Sequence, residues 1–241
     1  MPSWEFPVDG PVDLQVRLPS GDVTVSAVAT QTATVTLDGG DRIIAATRVE
    51  FDGAVLSIVV PDQLGLTRHG SVDATVELPE GSSCRVNAAS ADVQCTGTLG
   101  ALDVHTASGD VNADRVSGTT RVDTASGDVS VAEAAEVTAE TASGDVSIGR
   151  VSGAVAVRTA SGDVQIEAAA GPRVEVKAAS GDIGVGVAPG IGVYLELSSL
   201  SGTVSSELEP GEETEGADMT LSCRTISGDV RVSRAAPAAA R

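Results

Sequence analysis

The tripeptide Ser-Gly-Asp starts at Ser20, Ser108, Ser126, Ser143, Ser161, Ser180 and Ser227, and Ser90-Ala91-Asp92 and Ser201-Gly202-Thr203 fit the same frame. From Ser90 onward the steps are 18, 18, 17, 18, 19, 21 and 26 residues. A fixed period of this length marks a repeat architecture, in which each copy is one structural unit that buries its apolar face only by stacking on its neighbours. The period divides in two. Ser-Gly recurs at Ser117 and Ser152, nine residues after Ser108 and Ser143. Each half is a corner followed by a short alternating strand, with Val129 and Val131, Val146 and Ile148, Val155 and Val157, and Val164 and Ile166 at alternate positions. Period-two alternation sends these residues to one face and Ser130, Ser147, Gln165 and Arg158 to the other. Glycine every nine residues and valine at i, i+2 are incompatible with a 3.6-residue helical period.

The expected fold is therefore all-β: a β-solenoid of coils of about eighteen residues, two short strands per coil, with an irregular N-terminal part as cap. Equivalent positions should form ladders. Val104, Val122, Ala139, Val157, Val176, Leu197 and Cys223 should stack inside in that order, beside Thr106, Thr124, Thr141 and Thr159, whose hydroxyls should bond along the row. Aromatics are 2% of the chain, so the core must be thin and built from small aliphatic groups. Residues 90–234 carry the regular repeat. Residues 1–89 read as an irregular start of the same domain, with strands at 12–18, 23–28, 32–37, 55–60 and 71–78. The 70 residues from Ser20 to Ser90 have room for nearly four coils. The Glu-rich stretch 207–218 reads as a solvated loop, and 235–241 as a disordered tail.

At Thr-Ala-Ser-Gly-Asp-Val (124–129, 141–146 and 159–164) the sequence resembles a bacterial putative-adhesin family of β-solenoid domains, of the domain-of-unknown-function 4097 type. The resemblance covers roughly residues 10 to 234. It implies a β-solenoid and supplies no catalytic residues; the family name implies adhesion at a surface.

Chemistry-bearing motifs are sparse. The two histidines, His69 and His105, are far apart in sequence. No nucleophile elbow, P-loop, His-Glu-x-x-His or zinc-ligand spacing is present, and Gly184-Val185-Gly186 is not followed by the third glycine of a dinucleotide loop. Sugar sites favour aromatic platforms, and Tyr194 is the one aromatic after Ser90. The expectation is a non-enzymatic module with no catalytic residues, no cofactor and no firm metal site. A weak cation row is conceivable at Asp92, Asp110, Asp128, Asp145, Asp163 and Asp182. Carboxylates stacked at strand spacing repel by about 0.9 kcal/mol per pair in water, and a hard cation would relieve that. Backbone N–H groups in the turn can do so without a metal.

The net charge of −19 disfavours nucleic-acid and anionic-membrane contacts. It leaves an unknown protein partner, self-association or mimicry of nucleic-acid charge. The longest apolar runs are single strands, so no membrane insertion is expected. Cys84, Cys95 and Cys223 read as buried free thiols, and the opening Met1-Pro2-Ser3-Trp4-Glu5 lacks a basic region and an apolar run. These features point to the cytoplasm, with the cell surface as the alternative.

Overall fold

The computed structural model describes residues 1–61, 70–208 and 218–236. They fall into two compact units, Met1–Gly127 and Asp128–Arg241. The first unit holds β1 (Ser3–Pro7), β2 (Asp13–Ser20), β3 (Val23–Val28), β4 (Thr32–Gly39), α1 (Asp41–Ala46), β5 (Arg48–Phe51), β6 (Val55–Val59), β7 (Val72–Pro79), β8 (Ser83–Ser90), β9 (Val93–Leu99), β10 (Ala101–Ser108) and β11 (Val111–Ser126). The second holds β12 (Val129–Ser143), β13 (Val146–Val151), β14 (Val155–Ser161), β15 (Val164–Ala169), β16 (Arg173–Ser180), β17 (Ile183–Val187), β18 (Val193–Ser201), β19 (Val204–Ser206), β20 (Met219–Ser227) and β21 (Val230–Arg234).

Each coil is one strand, a Ser-Gly-Asp corner or a variant of it, and a second strand. Between coils, first strands pair with first strands and second strands with second strands, always parallel. In the first unit one stack runs β6–β2–β8–β10–β11 and the other β7–β3–β9–β11. The long strand β11 serves both: residues 111–116 pair with β9 and 120–126 with β10. In the second unit the stacks are β12–β14–β16–β20–β18 and β12–β13–β15–β17–β21–β19. The β-solenoid fold and the period-two reading hold. Val16, Val86, Val104 and Val122 align in one unit, and Ala139, Val157, Val176, Cys223 and Leu197 in the other. All are buried except Leu197, which is half-buried on the outermost coil.

Two expectations about order fail. The Ser20 corner lies directly beside the Ser90 corner, so the 70 residues between them insert no coil. They add one coil on the far side of β2–β3, made by β6 and β7. At the other end Cys223 precedes Leu197 in the ladder, because β20 and β21 slot between β16–β17 and β18–β19. Repeat spacing specifies which residues align but not which coil takes which slot. The threonine row also differs. Thr106 donates to its own corner carbonyl, Ser108 O, at 2.9 Å, and Thr225 donates to Ser227 O at 3.2 Å and Gly181 O at 3.3 Å. The buried hydroxyls of Thr124, Thr141 and Thr159 have no hydrogen-bond partner.

The coil β6–β7 is covered by antiparallel strands, β5 on β6 and β4 on β7, with β1 outside β4. Prolines 2 and 7, Glu5, Arg48 and Glu50 blunt these outer edges, as edge strands require. Phe6 of β1 meets Phe51 of β5 with ring centroids 5.3 Å apart, a tilted contact that closes the thin aliphatic core where the stacking ends. The expected strands at 12–18, 23–28, 32–37, 55–60 and 71–78 match β2, β3, β4, β6 and β7 closely. The strands β1 and β5 and the short helix α1 had no repeat to reveal them. Of the expected acidic loop, residues 209–217 lie outside the described residues, as do 237–241 of the tail. Ala235 is still buried and donates its N–H to Val187 O at 2.9 Å.

The corner explains its own sequence. Gly162 sits at φ +140°, and a Cβ there would lie 2.1 Å from Gly144 O of the adjacent coil. Both the left-handed backbone and the close approach exclude any side chain. Replacing Gly162 with Ala should therefore destabilise the protein by about 3 kcal/mol or more, from strain and displaced backbone together. Gly10→Ala, where nothing lies within 4 Å, should leave urea-denaturation midpoints within about 0.5 kcal/mol of the parent.

Candidate functional site

The aspartates of the corner are linked coil to coil, as two pairs in the first unit and as a longer row in the second. Stacked corners are joined by three hydrogen bonds. The Gly162 N–H donates to Ser180 O at 3.1 Å, and the Val164 N–H donates to Asp182 O at 2.9 Å. Between them the Asp182 N–H donates in the opposite direction, to Asp163 Oδ1, at 2.8 Å. Parallel pairing would give that N–H a backbone carbonyl. At these corners the glycine carbonyl is aimed instead at the next coil's glycine Cα, as Gly144 O is at Gly162. The Asp carboxylate takes the carbonyl's place.

This substitution repeats with little variation. Asp110 N–H reaches Asp92 Oδ1 at 2.9 Å in the first unit. In the second, Asp145 N–H reaches Asp128 Oδ1, Asp163 N–H reaches Asp145 Oδ1, and Asp229 N–H reaches Asp182 Oδ1, at 2.7–2.8 Å. The last link is Thr203 N–H to Asp229 Oδ1 at 2.7 Å. The structure thus brings the sequence-identified aspartates together within each unit. It adds Asp229, whose Ser-Gly-Asp triplet was visible in the sequence, and Asp73, whose Oδ1 accepts the Asp22 N–H at 3.0 Å. Asp73 carried no signal, because Ser71-Val72-Asp73 lacks the glycine and its coil is out of chain order. One oxygen of each acceptor aspartate is committed to a backbone N–H. Among the described residues no group of three or more His, Cys, Asp or Glu side chains is placed to hold a metal ion.

The outer face of the first-strand stack carries ion pairs, some between neighbouring coils and some between alternate residues of one strand. In the first unit Arg85 meets Asp103 at 2.9 Å and Arg121 meets Asp123 at 2.9 Å. His105 lies between the two carboxylates, Nε2 3.0 Å from Asp103 Oδ1 and Nδ1 2.9 Å from Asp123 Oδ2. This histidine is a member of an exposed charge network with no nucleophile beside it. His69 lies outside the described residues. In the second unit Arg158 meets Glu140 at 2.9 Å, and Glu175 is held between Lys177 and Arg173. Hydrogen bonds from Lys177 and then Arg173 hold the Glu175 carboxyl at about 2, well below the usual carboxylate range. Exposed pairs of this kind stabilise little individually, but they neutralise charges that repeat would otherwise stack like upon like.

Shallow grooves follow both faces. One, of about 250 Å³, is lined by Arg173, Glu175, Lys177, Glu196 and Arg224. Another, of about 460 Å³, runs past Asp163, Asp182 and Asp229 to Arg231, and opens where Gly184 replaces the larger residues of neighbouring coils. Gly184 therefore belongs to an outer strand face, in agreement with its reading as part of a Gly-rich coil.

The hydrogen-bonding role of the aspartate row is separable from its charge. Asp163→Ala should lower stability by about 1 kcal/mol, the cost of leaving the Asp182 N–H without its protein acceptor. Asp163→Asn keeps an oxygen acceptor, removes one like charge from the row, and should stay within about 0.5 kcal/mol of the parent in urea denaturation.

Comparison with known proteins agrees with this architecture. No curated protein matches the chain. Among solved structures, a putative adhesin from Bacteroides fragilis superposes with a TM-score of 0.63 at 14% identity, covering 96% of this chain and 95% of its own. A putative adhesin and a putative lipid binding protein, both from Parabacteroides distasonis, match at 14% and 10% identity with TM-scores of 0.35 and 0.42. They cover 96% and 98% of this chain and 96% of each of their own. At these identities the B. fragilis protein shares the fold alone. The model of the family described as Toastrack DUF4097 matches residues 7–148 and 64–235, and with the corner geometry above it places this chain in the Toastrack DUF4097 family.

Proposed function

We propose that the chain is a non-catalytic structural and binding module that associates with a second copy of itself through its coil β18–β19. One departure from the repeat carries this reading. The outward position just before the corner serine is alanine in coil after coil: Ala107, Ala125, Ala142, Ala160 and Ala179. In β20 and β18 it becomes Ile226 and Leu200, which are 57% and 82% exposed. Large apolar groups left in water on two adjacent strands mark a contact surface rather than a core.

The same two coils lead to an open edge. Among the described residues β18 pairs only with β20 and β19 only with β21. Thr203 and Glu207 bond inward, to Asp229, Val230 and Val232. The backbone groups of Val204 and Ser206 between them face the unpaired side. Tyr194 and Val204 are also exposed there. This edge lacks proline and lysine, and its charged residues are Glu196 and Glu207. By contrast, β5 and β4 cover the outer coil of the first unit.

An unpaired strand edge is completed by another strand. A second copy of β18–β19 offers the same strand lengths, and two-fold symmetry sets each edge against itself. The overall charge of −19 disfavours close contact elsewhere, so an unpaired edge with exposed apolar groups is where two copies approach at least cost.

Sedimentation velocity from about 1 to 500 µM should show a concentration-dependent dimer. Leu200→Ala combined with Ile226→Ala restores the residue the other coils carry, so the fold is retained. It should weaken dimerisation at least tenfold, as should Val204→Lys, which places a charge on the edge. A strict monomer throughout, or a dimer indifferent to these changes, overturns the proposal.

A further inference from the structure

The groove past Asp163, Asp182 and Asp229 collects polar groups that the fold leaves unused. Oδ1 of each aspartate accepts a backbone N–H from the next coil, and among the described residues Oδ2 of each accepts none. Gln165 and Arg231 also line the groove, and among the described residues neither side chain makes a hydrogen bond or an ion pair. The residues Thr203 and Ser205 add two hydroxyls at its β19 end. The groove on the first-strand face is different. Its charges are paired with one another, Glu175 with Arg173 and Lys177, and Glu196 with Arg224.

The groove also contains a glycine that the backbone does not require. Six coils align Ser130, Ser147, Gln165, Gly184, Arg231 and Ser205 at one outward position. Gly184 alone among them lacks a side chain. Two residues on, Gly186 is dictated by packing, since a Cβ there would stand 2.0 Å from Glu167 O. At Gly184 φ is not positive. The three atoms nearest to a Cβ there all belong to the Gln165 carboxamide, a flexible end that can swing aside. Glycine inside a strand weakens it, and it marks a place where another backbone or a ligand comes close. No backbone atom is among those nearest to Gly184, which leaves the ligand.

We propose that this groove binds a neutral, extended saccharide. Three carboxylates on a chain of net charge −19 repel an anion. The Arg231 guanidinium among them repels a small cation, and among the described residues no side-chain group is placed to hold a metal ion. Sugar hydroxyls answer both kinds of lining group at once. They donate to the free Oδ2 atoms and accept from Gln165 and from the planar fork of Arg231. The groove crosses four coils, roughly 14 Å at strand spacing, which is room for about three rings of a β-1,4-linked chain. No aromatic side chain lines it. The rings therefore gain no stacking, hydrogen bonds carry the affinity, and the expected Kd is about 1 mM. The site lies on the second-strand face, whereas Leu200 and Ile226 belong to first strands, so it stands independently of the association proposed above.

The test is titration of the full chain, followed through its backbone amide NMR signals. The neutral probes are cellotriose, β-1,4-mannotriose and xylotriose, each taken to about 50 mM to saturate a millimolar site. Spermidine and trigalacturonate are the cationic and anionic comparisons. At least one neutral trisaccharide should shift the amides of Asp182, Gly184 and Arg231 saturably. Gly184→Gln fills the notch with the residue of the preceding coil, and its Cβ displaces only the end of Gln165, so the fold is retained. It should weaken binding about tenfold, as should Arg231→Ala, the loss of one charge-assisted hydrogen bond. Ser130→Ala, in the same outward row but outside the groove, should leave binding unchanged. The proposal is overturned by the absence of shifts from all three sugars, by shifts confined to other residues, or by equal binding to Gly184→Gln. It is also overturned if spermidine or trigalacturonate moves the same amides at lower concentration than any of the sugars.

Discussion

The structure depends on one close approach: the backbone of each Ser-Gly-Asp corner lies against the backbone of the corner beside it. At Gly162, Gly181 and Gly228 a Cβ would stand 2.1 Å from the neighbouring glycine oxygen. That distance leaves room for a Cα hydrogen and nothing more, so glycine is dictated by contact between coils as much as by the left-handed φ of the turn. The approach turns the glycine carbonyl away from the hydrogen-bond ladder. The aspartate then follows as a necessity, since an N–H left without an acceptor at every coil would accumulate a penalty proportional to the length of the stack. Two of the three residues in the signature are thus one physical solution, repeated.

That coupling also explains the charge. A chain that places a carboxylate at each corner for backbone reasons stacks like charges, and much of the acidic surface is a by-product of the ladder. The arginines answer it on both faces: Arg85, Arg121, Arg158 and Arg173 each find a carboxylate on the first-strand face, and Arg150 meets Glu133 on the second-strand face. Net charge consequently says little about function here. The more informative surface is the one that departs from repetition, where Ile226 and Leu200 take the place of alanine.

How much of this was legible in the sequence follows from what repetition encodes. Register, inward and outward faces, the corners and five of the irregular strands were readable, because identical environments select identical residues at fixed offsets. The order of coils was not. Val86, Val104 and Val176 look alike whichever slot each coil fills, so nothing in the residues says that β2–β3 lies against β8–β9 or that β20–β21 lies inside β18–β19. The aromatics were a signal left unused. Phe6 and Phe51 meet where stacking ends, and Tyr194 lies on the outermost described coil of the second unit. In a core of short aliphatic chains, large rings are affordable only where no further coil must fit above them.

The exchanged coil order answers a weakness of any stacked fold. A coil paired on one side is the first to open, because it loses half of its backbone bonds and exposes its inner face. If coils stacked strictly in chain order, that vulnerable coil would also be the one nearest a chain end, free to peel away. Here each unit avoids the coincidence. The coil β20–β21, next to the C-terminus, is paired on both sides. Likewise β2–β3, near the N-terminus, lies between β6–β7 and β8–β9. The coil β6–β7 is paired on its outer side by β5 and β4, and the outer coil β18–β19 is internal in sequence, so it is tethered to paired structure at both of its ends. Opening it creates a loop instead of a free tail, and a loop gains less conformational entropy than a tail of equal length. The exchange thus raises the free energy of fraying without adding a contact. It also leaves β18–β19 held in place while, among the described residues, its outer edge stays unpaired.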